Sequence, residues 1–263
     1  MYPEINLGPV TLQTFGLMFA IGFIVAGAIC YKRFEEIGKP VDWAYEMAFA
    51  AMAGGLIGSR LYFVIDHSEG IDNFGDLFSG SGLTWYGGLL GGAIAVLLWA
   101  KWRDFLNLRL ADVAAPALLA GQAIGRIGCQ LSGDGDYGKP WDGPWAMGYP
   151  DGTVPTPPGV EVHPTPVYET ITLGIGAFVL WKLRNRFRPG ILFSLFLPWA
   201  GTERLLVEFL RTNTDVALGL TAAQLTSVGM IIAGLIWIAV VRNRYGTLAP
   251  DAGDGTAAGA AAK

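Results

Sequence analysis

Charged residues are scarce in this chain: they make up 15% of its 263 residues, against about 25% in an ordinary soluble domain. It has two cysteines, Cys30 and Cys129, both in apolar stretches, which excludes a disulfide framework and a cysteine-based zinc site. Collagen-like and disordered chains are excluded by composition as well. The chain is instead 52% hydrophobic, with 37 glycines and 9 tryptophans. This composition is typical of membrane proteins, where small residues permit close helix contacts and aromatic residues lie at the interface.

Lysine and arginine are missing from the first 31 residues. A cleaved secretory signal begins with a basic segment, so we expect the first apolar run to stay in place as a helix. Apolar runs of about 20 residues, long enough to cross a bilayer, predict seven spans near 11–31, 43–65, 83–100, 110–131, 167–181, 190–209 and 219–241. The sequence therefore predicts an all-α integral membrane protein. Its seven-helix transmembrane domain covers 1–245, and a disordered, Ala/Gly-rich cytoplasmic tail covers 246–263.

The basic residues that do occur are unevenly placed. Most of them lie in every second connection between the predicted spans. The remaining connections hold only Lys139 and Arg211 and are rich in Asp and Glu. Basic connections face the cytoplasm, so we expect the N-terminus outside and the C-terminus in the cytoplasm, which requires an odd number of spans. Nucleic-acid binding has no support, because the basic residues cluster beside spans. Of 18 basic residues, thirteen lie in alternate connections and the tail: Lys32, Arg33, Lys39, Lys101, Arg103, Arg109, Lys182, Arg184, Arg186, Arg188, Arg242, Arg244 and Lys263.

Three arginines, Arg60, Arg126 and Arg204, lie within or at the outer ends of the second, fourth and sixth predicted spans. A charge inside a membrane is costly and marks a functional site by default. The alternative is that each long side chain reaches the interface independently. Because these three spans all run outward, we expect the arginines to converge near the outer leaflet.

The segment 125–138 passes from an apolar helix into a polar, glycine-rich stretch, with Arg126 at the junction. Glycines such as Gly125 and Gly128 let the backbone approach a ligand, and a guanidinium group can bind phosphate through two parallel hydrogen bonds. A phospholipid headgroup is therefore a candidate ligand. The alternative is an ordinary helix end followed by a turn, with Arg126 paired to Asp134 or Asp136.

Arg204, Glu208 and Arg211 follow one another at i, i+4 and i+7, which places them on one helix face. Mutual ion pairing would lower the cost of burying them. A binding site and a purely structural network are both compatible with this pattern. Glu203 lies on a different face, and we expect it to be less involved.

A long outer loop over 132–166 leads into the fifth span. Thr165 is a candidate N-cap and Pro166 suits the first helical position. Glu169 then lies in the first turn, where the helix dipole favours a carboxylate. His163 is one of two histidines, the side chain that titrates near neutral pH. Tyr86, at the start of the third span, either lies at the membrane interface or directs its hydroxyl at a site.

These segments, in this order, resemble the prolipoprotein diacylglyceryl transferase family, bacterial inner-membrane enzymes that start lipoprotein maturation. The resemblance extends to about residue 242, and the family is similarly seven-spanning with its N-terminus outside. It rests on Leu7-Gly8-Pro9-Val10, Phe15-Gly16-Leu17-Met18, Gly58-Ser59-Arg60-Leu61, Tyr86-Gly87-Gly88-Leu89, Gly125-Arg126-Ile127-Gly128, His163-Pro164-Thr165-Pro166-Val167-Tyr168-Glu169, Arg204-Leu205-Leu206-Val207-Glu208-Phe209-Leu210-Arg211 and Gln224.

The resemblance implies transfer of the diacylglyceryl group of phosphatidylglycerol to the lipobox cysteine thiol of a prolipoprotein, with glycerol phosphate leaving. Arg126 and Arg204 match the family's essential arginines and are expected to hold the phosphate. No metal or organic cofactor is implied. The other expected substrate-binding residues are Arg60, Asp134, Glu169, Glu208, Arg211, Gly125 and Gly128.

Three positions depart from the family pattern. Tyr86 stands where the family has histidine, Phe15 where it has tyrosine, and Cys129 where it has asparagine. A phenol with a pKa near 10 is a weak base at neutral pH, so Tyr86 and His163 are both candidates for proton transfer. The alternatives are a divergent member that acts on another acceptor or only binds phospholipid, and a small membrane transporter.

Overall fold

The computed structural model describes residues 1–66, 84–214, 216–217 and 219–250. These residues contain seven helices and one two-stranded antiparallel hairpin. The elements are β1 (Glu4–Leu7), β2 (Val10–Gln13), α1 (Thr14–Glu36), α2 (Trp43–Asp66), α3 (Trp85–Trp102), α4 (Leu108–Ser132), α5 (Thr165–Leu183), α6 (Ile191–Glu208) and α7 (Ala222–Tyr245). Each predicted span coincides with one helix, and the all-α class is confirmed. Most of the predicted tail, 251–263, lies outside the described residues.

Three helices of the described residues are long and apolar enough to cross a membrane: Thr14–Glu36, Trp43–Ile65 and Ala222–Tyr245. A shorter apolar helix covers Tyr86–Trp102. The helices α4 and α6 carry Arg126 and Arg204 near their C-terminal ends. The chain is therefore a membrane protein by the length and composition of its helices.

The N-terminal hairpin is the element that the sequence did not predict. The first predicted span begins at residue 11, but β2 occupies Val10–Gln13, and α1 begins only at Thr14. Gly8 lies at the turn with a φ of +66°, a conformation that glycine adopts at low cost. The N–H and the hydroxyl of Thr14 both donate to the carbonyl of Pro3, at 2.9 Å each. Such short strands cannot be distinguished from a helix start by periodicity alone.

Residues 30–110 form one of two compact units. Within this unit, α2 and α3 pack through glycines: Gly54 and Gly58 face Gly87 and Gly91. A Cβ added at Gly58 would lie 2.7 Å from the Cα of Gly91, which is too close for a side chain. The glycines spaced four residues apart therefore serve close helix packing, as expected for small residues in membrane helices.

We expect Gly58→Ala to destabilise the protein by about 1–3 kcal/mol, because the added methyl group overpacks the contact between α2 and α3. The measurement is the thermal unfolding midpoint of detergent-purified protein. Gly55→Ala is the matched control, since a Cβ there would lie 3.4 Å from the carbonyl oxygen of Gly88, an ordinary contact. Equal midpoints for the two variants would contradict the packing role of Gly58.

The second unit combines residues 1–29 with 111–263. Its core is formed by buried stripes on three helices, and successive members are three or four residues apart, as expected of one helix face. Each stripe, continued by three or four residues at one end, reaches a charged residue: Arg126 on α4, Glu169 on α5 and Glu203 on α6. The apolar core therefore ends in an ionic cluster. The apolar members are Ala115, Leu119, Ala123, Leu173, Ala177, Leu180, Leu192, Phe196 and Ala200.

Candidate functional site

Glu169 lies at the centre of the ionic cluster, with its side chain 1% exposed. Its Oε2 is 3.3 Å from Nε of Arg126, and its Oε1 is 3.3 Å from Nη1 of Arg204. A single carboxylate thus bridges the two arginines, and Asp136 and Glu208 supply the remaining negative charge beside them. The position of Glu169 in the first turn is explained by the helix dipole, and the family resemblance adds a role in substrate binding. The structure gives this carboxylate two ionic partners from other helices.

Asp136 forms the second bridge of the cluster. One of its oxygens pairs with Nη1 of Arg126 and the other with Nη2 of Arg211. Nη1 of Arg211 also donates to the backbone carbonyl of Asp136, at 3.1 Å. The sequence left open whether Arg126 pairs with Asp134 or Asp136, and the structure places Asp136 there. Asp134 instead accepts a hydrogen bond from the backbone N–H of Asp136, at 3.3 Å.

The ionisation of Asp136 follows from these contacts. Burial opposes the charged form, but the hydrogen bond from Arg211 and the charges of Arg126 and Arg211 outweigh it and lower the pKa of Asp136 to about 2. The ordinary value is 3.8. Asp136 is therefore a carboxylate throughout the neutral pH range.

We expect Asp136→Asn to lower the thermal unfolding midpoint at pH 7, because it removes the charge that compensates Arg126 and Arg211. The pKa is lower in the folded state, so this stabilisation is present above about pH 4 and is lost as the pH falls towards 2. The difference between wild type and variant should therefore shrink in that window. Asp142→Asn, at an exposed position, is the control. A difference that grows with acidification would contradict the assignment.

Arg204 has a second partner in Glu208, one turn further along α6. Nη2 of Arg204 is 3.1 Å from Oε2 of Glu208, so the predicted pairing at i and i+4 is present. The other oxygen of Glu208 accepts from the hydroxyl of Thr221 at 2.7 Å and from Nδ2 of Asn213 at 2.8 Å. Thr221 is also the N-cap of α7. The orientation of Arg204 is thus fixed from α5, α6 and the start of α7.

Arg211 does not continue the helix face that the spacing predicted, because α6 ends at Glu208. It reaches Asp136 in the outer loop instead. Two further contacts join the same segments: the N–H of Lys139 donates to the carbonyl of Leu210 at 2.7 Å, and its Nζ donates to the carbonyl of Phe209 at 3.0 Å. The outer loop is therefore attached to the end of α6 at several points.

Close packing also holds the outer loop against the start of α5. A Cβ added at Gly138 would lie 2.7 Å from the carbonyl oxygen of Leu210 and 2.9 Å from Cβ of His163. The hydroxyl of Thr165 donates to the backbone carbonyl of Asp136. Thr165 is the first residue of α5 and Pro164 is the N-cap, so the prediction that Thr165 caps the helix is wrong. Its hydroxyl positions Asp136 instead.

Arg126 and Arg204 retain accessible surface despite these partners: their side chains are 23% and 28% exposed. Beside Arg126, a Cβ added at Gly125 would meet nothing within 4 Å. Two adjacent guanidinium groups with accessible donors suit a phosphate or carboxylate. Gly128 has a different environment, because a Cβ there would lie 3.0 Å from Cβ of Met18 on α1.

His163 lies in an aromatic cluster of the outer loop. Its ring stacks on Trp141 with centroids 4.3 Å apart. Its Nδ1 is 3.3 Å from the hydroxyl oxygen of Tyr168, which also accepts from Nε1 of Trp145 at 2.7 Å. The structure therefore fixes the orientation of this imidazole through two aromatic neighbours.

Arg60 and Tyr86 belong to the unit formed by residues 30–110. The guanidinium of Arg60 lies 5.5 Å from the ring centroid of Phe63, a distance at which cation–π attraction operates. Tyr86 lies in the first turn of α3 and is 41% exposed. The roles predicted for Arg60 and Tyr86 stay predictions.

Cys129 is a free, buried thiol at the edge of the cluster, as Cys30 is elsewhere. Its Sγ lies 3.9 Å from Nη1 of Arg126 and 3.5 Å from Oδ2 of Asp136. Sγ and carboxylate oxygens of Asp134 and Asp136 lie within 4.8 Å of one another, a grouping that could suggest a metal site. Both oxygens of Asp136 already pair with arginines, whose charge repels a cation, and we assign no metal here.

Glu203 is the residue of the cluster that sequence reasoning set aside. The structure buries it, with 8% of the residue exposed, and it interacts electrostatically with Glu169, Arg126 and Arg204. The expectation that Glu203 is less involved stays a prediction, although its burial shows that it faces the core, which its spacing from Arg204 did not indicate. The sequence feature that corresponds to this burial is the position of Glu203 three residues after Ala200, which is itself buried.

The fold and the site together define a class: an integral membrane protein with a cluster of arginines and carboxylates at the end of an apolar helix core. Charged groups in the helices of a membrane protein mark sites for charged ligands or ions. Comparison with known proteins identifies the particular family within this class. The family model of prolipoprotein diacylglyceryl transferase matches residues 4–240.

The similar proteins include the following three, each named phosphatidylglycerol–prolipoprotein diacylglyceryl transferase. The protein from Clostridium tetani is 33% identical over 250 residues, which cover 90% of this chain and 98% of the relative. The relative from Dehalococcoides mccartyi is 36% identical over 237 residues, 88% of each chain. The relative from Aliivibrio salmonicida is 34% identical over 265 residues, 95% of this chain and 91% of its own. The chain belongs to the prolipoprotein diacylglyceryl transferase family, and the resemblance seen in the sequence is confirmed.

Proposed function

We propose that this protein transfers the diacylglyceryl group of phosphatidylglycerol to the lipobox cysteine thiol of prolipoproteins, the first step of bacterial lipoprotein maturation. The observation that carries the proposal is the pair of partly exposed arginines, Arg126 and Arg204, bridged by the buried Glu169. Family membership and the names of the relatives support it. The site needs no metal or organic cofactor for this reaction.

In the proposed reaction, the thiol sulfur attacks the glycerol carbon that is bound to the phosphate through oxygen. The carbon–oxygen bond breaks, and glycerol phosphate leaves. Arg126 and Arg204 bind the phosphate oxygens and stabilise the charge that develops on them. Because these donors are already held by carboxylates, little reorganisation is needed when the lipid binds.

Several residues support the arginines in this proposal. Glu169 and Glu208 orient the guanidinium groups, and Gly125 leaves room beside Arg126. Arg211 acts through Asp136, with which it is paired. Of the other predicted binding residues, Asp134 shapes the turn before Asp136 and Gly128 permits close packing on α1. Arg60 keeps its predicted role in substrate binding.

The attacking thiol requires a base. An ordinary cysteine has a pKa near 8.5, so only a few per cent is thiolate at pH 7. Tyr86 and His163 are the proposed candidates. Comparison of Tyr86→Phe with His163→Gln distinguishes them, since the variant with the larger loss of kcat identifies the base. Full activity in both variants would exclude both residues.

The proposed topology has seven spans, the N-terminus outside, the C-terminus in the cytoplasm, and the bacterial inner membrane as the location. The distribution of the basic residues supports it. Fusions of a phosphatase that is active only outside the cytoplasm test it. Fusions after Glu36, Trp102 and Leu183 should be inactive, and fusions within 133–164 should be active. The opposite pattern would contradict the orientation.

The activity is tested with purified protein in phosphatidylglycerol vesicles and a lipobox peptide. We expect a thioether product by mass spectrometry and release of glycerol phosphate. Vesicles of phosphatidylethanolamine and a peptide with Ser in place of the lipobox cysteine are the controls. The departures at Tyr86, Phe15 and Cys129 favour one alternative, a relative that binds the lipid without this transfer. Binding of phosphatidylglycerol with no thioether product would support that alternative, as would failure to complement a transferase-depleted bacterium.

A further inference from the structure

Glu203 is a buried carboxyl group to which the proposed reaction assigns no role. The residue is 8% exposed, and its Oε1 has no hydrogen-bond partner among the described residues. Oε2 of Glu169 and Oε2 of Glu208 also lack a hydrogen-bond partner, but each of these two carboxylates forms an ion pair with an arginine. A buried polar group without a partner is costly, so its presence requires an explanation.

The backbone directs Glu203 into the ionic cluster. It follows the buried Ala200 by three residues on the core-facing stripe of α6. The charged groups that act on it come from each helix of the cluster: Arg126 from α4, Glu169 from α5 and Arg204 from α6. Glu203 therefore lies within electrostatic range of the two arginines that are proposed to hold the phosphate.

The charge balance of the cluster favours a neutral Glu203. The arginines Arg126, Arg204 and Arg211 contribute three positive charges. The carboxylates of Asp136, Glu169 and Glu208 balance them, and an ionised Glu203 would add a fourth negative charge before any lipid phosphate binds. Burial of an unpaired carboxylate costs far more than burial of the neutral acid. The neutral acid also carries a proton that it can donate.

Such a donor would assist the departing phosphate. As the carbon–oxygen bond breaks, its electron pair stays on the phosphate oxygen, and protonation of that oxygen lowers the barrier. Arg126 and Arg204 cannot supply the proton, because a guanidinium group does not lose its proton in proteins.

We propose that Glu203 is held as a neutral carboxylic acid and donates its proton to the phosphate oxygen that leaves the diacylglyceryl group. The sulfur forms the new carbon–sulfur bond while the carbon–oxygen bond breaks. The thiol proton passes to the base and then restores the acid form of Glu203, so thiol and phosphatidylglycerol give thioether and glycerol phosphate. This inference rests on the proposed function and adds a catalytic acid to it.

The test compares wild type with Glu203→Gln, which preserves the shape of the side chain but cannot donate a proton in this way. We expect kcat to fall about 100-fold, the usual contribution of a general acid, while the KM for phosphatidylglycerol changes less than about threefold. The kcat of wild type should also fall at high pH as the acid ionises, and this fall should be absent in the variant. Glu161→Gln, at an exposed position, is the matched control and should behave as wild type.

The outcomes separate this inference from the proposed function. An active wild type with an equally active Glu203→Gln variant, or with a loss in KM alone, would overturn the role of Glu203 and leave the transferase function standing. A wild type that forms no thioether would overturn the proposed function itself. If Glu203→Gln does not fold, Glu203→Asp keeps the acid, and we expect it to retain the fall of kcat at high pH. A flat profile in a folded Glu203→Asp would overturn the inference.

Discussion

Replacement of Arg126 by Lys is expected to lower kcat/KM for phosphatidylglycerol by about 100- to 1000-fold, the usual loss when one donor to a developing charge is removed. Lys keeps the positive charge but loses the planar fork that binds Glu169, Asp136 and a phosphate at the same time. The same loss is expected for Arg204→Lys, because Arg204 makes the equivalent contacts with Glu169 and Glu208.

The measurement is the rate of thioether formation at several phosphatidylglycerol concentrations. Arg186→Lys is the matched control, because Arg186 is exposed in the connection after α5. Membrane insertion and the unfolding midpoint are recorded for each variant, so that a loss of fold is separated from a loss of chemistry. Activity near the wild-type level in folded Arg126→Lys would refute the phosphate assignment.

Glu169→Gln is expected to destabilise the protein by about 3–5 kcal/mol, the cost of breaking a buried ion pair from one side. The side chain is 1% exposed and contacts two arginines, so the variant leaves Arg126 and Arg204 close together without their shared counter-charge. Transferase activity should fall as well, because the spacing of the two guanidinium groups is no longer fixed.

The comparison of unfolding midpoints for wild type, Glu169→Gln and Glu161→Gln tests this expectation. A double variant of Glu169→Gln with Arg204→Gln should be less destabilised than the sum of the single changes, because the second change removes an uncompensated charge. Additive effects of the two changes would show that the pair does not interact.

The helices could be predicted because each one is an apolar run of membrane-spanning length, and this signal does not depend on tertiary contacts. The largest shift is at the end of α1, predicted at residue 31 and observed at Glu36. In the last turn of α1, Nη1 of Arg33 lies 3.0 Å from Oε2 of Glu36. A scan for apolar residues stops before such charged residues. The hairpin was missed because its strands are four residues long.

From the sequence, a site residue could be predicted only where that residue is informative by itself. Arg126 and Arg204 were found because a charge in a span is costly wherever it points. The choice between Asp134 and Asp136 depends on the turn between them and α4, where Gly133 and Gly135 have φ values of +60° and +92°. Glu203 was missed because its importance depends on which face of α6 meets α4 and α5.

The attachment of the outer loop also determines where the chain tolerates extra residues. The segment from Ser132 to Gly138 is held at both ends by backbone hydrogen bonds. The carbonyl of Ser132 accepts from the N–H of Thr153 at 2.9 Å, and the N–H of Gly138 donates to the carbonyl of His163 at 2.8 Å. A single inserted residue there would move Asp136 away from its arginines. The turn over 157–160 is different: it lies largely at the surface, and a peptide tag at Gly159 should be accepted without loss of activity. Natural length variation in the family is therefore expected at that turn and not in the short segment before Gly138.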